Sequence, residues 1–402
     1  MRNSEWWVHM TAPRSIWFRL IVPACAFVAI TLASCSSEPD ITPVVFEGED
    51  PEDGGQPPPG SSNDDKYVWL FPSGRVQDGG PGKDGIWALM NPSFRPVEST
   101  SYLLEDDLVL GINFEGTVKA YPHRILDWHE IANDMFGGWA IAITYCPLTG
   151  SGIAFNSSTT LNEIAPNAER EPTFGVSGFL WNNNLIPYDR PTDSNWSQML
   201  LWCVNGPSRG ERAWSVPLIE TTWATWKKMF PGSLVLSDET GHDRPYDIFP
   251  YGDYKTDPFL LFPISLDDER LPRKARVHGV ILDPVAMQAK AYPFQLFEGQ
   301  IRAINDEAGT VPVVVAGSGP DNIVVSYRSR LSDGTPLQYS VKTDSPSIYP
   351  FDLVDNEGTI WNLLGEAIEG PRKGDQLQPT TSYNAYWFAW GSIFPNLPIY
   401  GR

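Results

Sequence analysis

From residue 67 onward the chain alternates apolar and polar positions in short runs, broken by Gly and Pro roughly every 8–12 residues, the spacing of short strands joined by turns. The run "WAIAITYC" is the clearest of them. It ends in Pro-Leu-Thr-Gly, so a strand over 139–146 is expected to close in a turn at Cys146. Two stretches carry a helical period instead. In "TWATWKKMF" Thr222 is placed to cap a helix, Trp223, Trp226 and Phe230 share one face, and Pro231-Gly232 ends it. In "YPHRILDWHEIAND" Pro122 occupies a favoured first position. Ile125, Trp128, His129 and Ala132 line one face of a helix over 122–132, so His129 is expected to point inward.

One pattern occurs twice. Lys119-Ala120-Tyr121-Pro122 returns as Lys290-Ala291-Tyr292-Pro293, 171 residues on, and Asn133-Asp134 returns as Asn305-Asp306, 172 residues on. Each copy is expected to run from a hairpin, near Gly111 or Gly279, through a short helix into an apolar strand, giving related half-units near 108–156 and 277–327. A period this long indicates duplication rather than a solenoid, whose repeats are roughly 20 to 50 residues. Cys146 corresponds to Ser318 and His129 to Gln300, so the copies differ where chemistry would sit. The expected fold is α+β, with strand-rich mixed sheets, short helices and an internal duplication of a hairpin-helix-strand unit.

Apolar residues make up 42% of 402, enough to fill a sizeable core in one domain over 67–402. A net charge of −20 excludes nucleic acid and anionic lipid as natural partners, which need a positive footprint. No protein partner is named by the pattern. Ahead of the domain, Arg14 and Arg19 precede "LIVPACAFVAITLAS", an export signal over 1–34; Met10 would give it a more usual length. It ends Leu32-Ala33-Ser34-Cys35, which resembles a bacterial lipobox. Cys35 is therefore expected to be lipidated, anchoring the exported chain to a membrane of the bacterial envelope. Residues 35–66 hold nine acidic residues against one Lys and are rich in Pro, Gly and Ser, the composition of a tether.

After loss of the signal, Cys146 and Cys203 are the two thiols left to the body. If the strand 139–146 runs back along the helix 122–132, about 16 Å long, Cys146 reaches the helix N-terminus, where the peptide dipole and His123 favour a thiolate. That gives a thiol or soft transition-metal site of Cys146 with His123 or His129 and Cys203. The competing readings are a small buried hydrophobe with a hydrogen-bonded core histidine, and a Cys146 to Cys203 disulfide. A second cluster, "YDRPTDSNWSQ", concentrates Asp189, Arg190, Thr192, Ser194, Trp196 and Gln198, either to bind a polar ligand or to satisfy a turn. Ser177 lacks a nucleophile elbow and there is no phosphate loop. Trp128-His129-Glu130 has no second His for zinc, and the acidic runs 105–107 and 267–269 read as solvated faces.

"TYCPLTGSGIAF", "FGVSGFLWNNNLIPYDRPTDSNWSQ", "ETTWATWKKMFPGSLVLSDETG", "YDIFPYGDY" and "YWFAWGSIFPN", in that order, resemble the bacterial DUF3179 family over about residues 110–396. The resemblance implies no activity, since that family's biochemistry is unassigned. It does imply a second Cys in the Cys-Pro-Leu-Cys position, which here is Thr149. Two function classes follow: thiol or soft-metal redox chemistry centred on Cys146, or a non-catalytic binding lipoprotein that stacks a ligand such as a sugar on exposed tryptophans, Trp181 or Trp196.

Overall fold

A computed structural model describes residues 68–165, 170–284, 286–344 and 347–402. The signal segment, Cys35 and the tether lie outside the described residues. The body is the strand-rich α+β arrangement expected, with mixed sheets and four short helices among the described residues.

Alternation folds locally into hairpins. Leu108–Phe114 pairs antiparallel with Thr117–Pro122 across Glu115-Gly116, both at positive φ, the turn that matches strand twist. Ile219–Thr222 extends this sheet on one side, and Leu234–Leu236 joins it in parallel on the other. A second sheet stacks Ser151–Asn156, Trp139–Cys146 and Ile131–Phe136, with Leu89–Met90 parallel at its edge. A third carries Phe174–Trp181, Asn184–Asp189, Asn195–Ser197 and Trp202–Asn205. Later in the chain, three smaller sheets follow the same order. Arg276–Asp283 pairs with Gln288–Pro293 and Ser382–Tyr386. Ile301–Ala308, Val311–Ser318 and Ile323–Arg328 form a meander. Tyr339–Lys342 to Ala367–Glu369 form the last sheet.

Individual contacts recur with the elements. Gly111 leaves room for the Trp226 indole, and Gly279 does the same for Trp390. The Tyr121 hydroxyl and Lys119 both bond Asp134; Tyr292 and Lys290 both bond Asp306. Asn133 bridges the backbone of Phe174 with bonds of 2.9 and 2.8 Å, and Asn305 bridges Tyr339 with two of 2.8 Å. Trp196 donates to Asp189 at 2.8 Å and Trp361 to Asp355 at 2.9 Å. Similar contacts also occur outside 108–156 and 277–327, in the sheets that follow and against the helices Trp223–Met229 and Trp387–Ile393.

Thr222 caps Trp223–Met229 as its sequence indicates, accepting from the Thr225 N–H at 3.2 Å. The other helix is shorter than 122–132. It spans His123–His129, because Glu130 takes φ 57° with its N–H on Leu126 O, and the chain leaves as the strand Ile131–Phe136. The second Lys-Ala-Tyr-Pro segment leads instead into a single 3-10 turn, Phe294–Phe297. No described helix is long and apolar enough to cross a membrane.

Candidate functional site

The short helix moves Cys146 away from its expected neighbour. Trp139–Cys146 pairs with Ile131–Phe136 while the helix packs on its end, and the Tyr145 N–H bonds Glu130 O at 2.7 Å. Cys146 thus lies by the C-terminal end of His123–His129, where the dipole is negative. Its thiol is buried, donates to Asn183 O at 3.3 Å, and is pushed up to about 11 by burial and by the Glu130 carboxylate. The thiolate expected from a helix N-terminus is not favoured here. His123 packs on Tyr145, ring centroids 4.3 Å apart, and Tyr145 faces the side of the strand opposite Cys146. His129 is buried as expected, but its ring nitrogens meet Trp87 O at 2.8 Å and the Tyr246 hydroxyl at 2.6 Å. Cys203 is a free thiol, as is Cys146, and sits against Asn195 O and Asn205 O. The four candidate ligands are not brought together, and no group of three His, Cys, Asp or Glu among the described residues is placed to hold a metal ion.

What gathers at the end of this strand is a different set. Helix His123–His129 contributes His123, Asp127 and then Glu130; Ile219–Thr222 contributes Glu220; Arg276 begins the strand Arg276–Asp283; Tyr386 ends Ser382–Tyr386; Tyr251, Tyr254 and Lys255 come from the segment 251–255. Arg276 pairs with Glu220, which also lies 3.8 Å from His123 Nε2, and Lys255 meets Asp127 at 3.1 Å. Burial dominates the electrostatics. It raises Glu130 to about 8 and Asp127 to about 6, Lys255 opposing the latter, and together with Lys255 and Arg276 holds His123 well below its ordinary range. Tyr251 lies in the fields of Glu130, Cys146 and Asp127 together. Lys274 rests its ammonium 2.9 Å from the Tyr254 ring centre and 5.2 Å from that of Tyr386, and burial lowers it to about 7.

Fourteen buried side-chain nitrogen or oxygen atoms among the described residues have no hydrogen-bond partner. Five belong to this set: His123 Nε2, Asp127 Oδ1, Tyr254 Oη, Lys274 Nζ and Arg276 Nε. A cavity of about 120 Å³ elsewhere, between Gly152, Leu218 and Tyr383, carries no titratable side chain but that tyrosine.

The cluster at 189–198 is internally satisfied. Asp189 accepts from Thr192 and Trp196, Ser194 Oγ accepts from the Ser208 N–H, and Arg190 pairs with Asp84 and the Tyr188 hydroxyl. Asp355 receives the same treatment from Thr359 and Trp361, so the arrangement is a turn staple used twice. Gln198 stands apart from the staple. It bonds Thr144, Ser151 and Asn184, and Asn184 reaches Thr149, bracing the Cys146 turn from behind. Trp181 is 5% exposed and Trp196 0%, which corrects the expectation that they stack a ligand at the surface. Their indoles are core.

The sequence profile described as Protein of unknown function (DUF3179) matches residues 83–397. The chain belongs to the DUF3179 family. No curated protein and no solved structure matches it significantly. Four of the family-like segments meet at the site: "TYCPLTG" supplies the turn, "ETTWATWKKMFPGSLVLSDETG" Glu220, "YDIFPYGDY" Tyr251 and Tyr254, and "YWFAWGSIFPN" Tyr386. Sequence reasoning passed over Lys274 and Arg276. The signal that could have found them was four basic residues between 270 and 276 in a strongly acidic chain.

Proposed function

We propose that this DUF3179 protein is an exported envelope protein, lipid-anchored at Cys35, whose body binds a small polar molecule around the Cys146 turn. The observation that supports it is the convergence of five buried polar atoms without hydrogen-bond partners. Each costs about 1–3 kcal/mol when left so. Five of the fourteen such atoms among the described residues converge on this one place, so a polar occupant that hydrogen-bonds them would recover several of these costs together. The reading includes an internal duplication, supported by the recurring glycine-indole, Tyr-Lys-Asp and Asn-backbone contacts. The site then falls where one half meets the other, because Tyr386 N–H bonds Thr149 O.

Cys146 is a wall of this site rather than a redox centre. A lone buried thiol held up near 11 is a poor nucleophile and metal ligand. Native mass spectrometry of the gently purified chain, compared with its denatured mass, tests the proposal: a released small molecule is expected. Absence of any bound molecule, with no metabolite raising the melting midpoint, rejects it. Elemental analysis and thiol titration separate the redox reading. Both thiols are expected to stay unreactive until denaturant is added, and a stoichiometric soft metal or a reactive native thiol would reinstate Cys146 chemistry.

A further inference from the structure

The two turns that end the recurring central strands have the same length and closure. Cys146 pairs with Ser151 and Ser318 with Ile323, and the penultimate residue of each turn is left-handed, Gly150 at φ 60° and Asn322 at φ 51°. Each turn accepts a backbone N–H from a strand-to-helix junction of the other half: Tyr386 to Thr149 O at 2.8 Å, Thr222 to Asp321 O at 3.4 Å. The residue at that fourth position is the difference between them. Asp321 turns its carboxylate inward, where Ser318 Oγ donates to Oδ2 and Thr225 Oγ1 donates to Oδ1 at 2.8 Å. In the first turn the matching places hold Cys146, Thr149 and Ala389, the third residue of its helix as Thr225 is of the other. None of these three is a carboxylate, although Glu130 acts on Cys146 from just ahead of the strand beside it, and the Thr149 hydroxyl is engaged behind the turn with Ser151 and Asn184. Tyr254 lies in the field of Cys146, and Lys274 rests over the rings of Tyr254 and of Tyr386, which lies against Gly150 of this turn; Lys274 Nζ and Tyr254 Oη are both buried without a hydrogen-bond partner.

We propose that the first turn takes the carboxylate of a small exogenous acid, held by Lys274 and Tyr254 where the second half supplies its own carboxylate from Asp321. This rests on the polar-pocket reading above and names the ligand class. Lys274 feels the Asp257 charge but its buried ammonium makes no hydrogen bond, a cost that an anion in contact repays, and a phenol donates to carboxylate as readily as Ser318 does in the other turn.

Calorimetric titration of the full chain with acetate, propionate and benzoate, against their amides, tests the assignment. At least one acid is expected to bind about tenfold tighter than its amide, since a charge-assisted bond is lost in the amide. Lys274→Met, which keeps the stem over the aromatic rings, should weaken that acid about tenfold or more. Thr149→Asp should abolish binding and raise the melting midpoint, its carboxylate doing what Asp321 does. Amides binding as well as acids, or Lys274→Met binding the acid unchanged, overturns the proposal, and the Lys274 result decides even if the Thr149 variant fails to fold. If no acid binds while a neutral molecule is released in native mass spectrometry, the carboxylate assignment falls and the pocket stands. If neither is seen, both fall.

Discussion

Glu130 sits at φ 57° where the helix His123–His129 ends, with its carboxylate buried. Burial raises it from 4.5 to about 8, so the folded chain prefers the protonated form. The stability this contributes is complete below about pH 4.5 and is lost as pH rises through about 8. Glu130→Gln keeps the shape and removes the titration. The variant should melt with the native chain at low pH and increasingly above it toward pH 9, a gap on the order of a few kcal/mol. Equal midpoints across the whole range would mean that the carboxylate is solvated after all. Asp127, raised to about 6, acts in the same direction, whereas His129, lowered to about 4, acts oppositely. Only the difference between variant and parent isolates Glu130. At this scale the sequence drew attention to the Cys146 turn but not to the buried charges around it. Cys146, His129 and Thr149 stand out in it, but the thiol's acidity is set by burial and by the Glu130 carboxylate that strand pairing brings beside it, which no local spacing reports.

Hairpins, the two long strands ending at Cys146 and Ser318, and the Thr222 cap were legible because period and capping are local. The length of His123–His129 was not, since its end is fixed by one residue in a left-handed conformation that few side chains favour. The recurrence was legible only where a string of residues repeats. The Asn133 and Asn305 bridges, and the Trp196 and Trp361 staples, are single residues separated by loops of unequal length, so no string connects them. Equivalence of the halves can be tested at the glycines. A Cβ on Gly111 would stand 1.9 Å from Trp226 Cζ3, and one on Gly279 2.1 Å from Trp390 Cζ2, both indoles being fully buried. Gly111→Ala and Gly279→Ala should each cost about 1–3 kcal/mol or more through overpacking. Chemical denaturation reads the cost. A large loss at one position with none at the other would break the equivalence.

Over the whole molecule, charge and attachment oppose each other. A body in a chain of net charge −20 is repelled by an anionic leaflet, and that repulsion decays over a Debye length of about 10 Å. Residues 35–66, if they behave as their composition implies, span about 30 Å root-mean-square, far enough to carry the body beyond that range. On the proposed anchoring, attachment then depends on the lipid at Cys35 alone. Raising the salt concentration should leave the protein in the membrane fraction, because screening removes a repulsion and no electrostatic bond is being broken. Mild proteolysis within 36–66 should release the body with its melting midpoint unchanged, since the segment has few core-forming side chains. Intact mass of the membrane-bound form should place the mature N-terminus at a lipid-modified Cys35. Release by salt, an unmodified Cys35, or loss of cooperative melting once the segment is cut would each contradict an anchored body on an inert acidic tether.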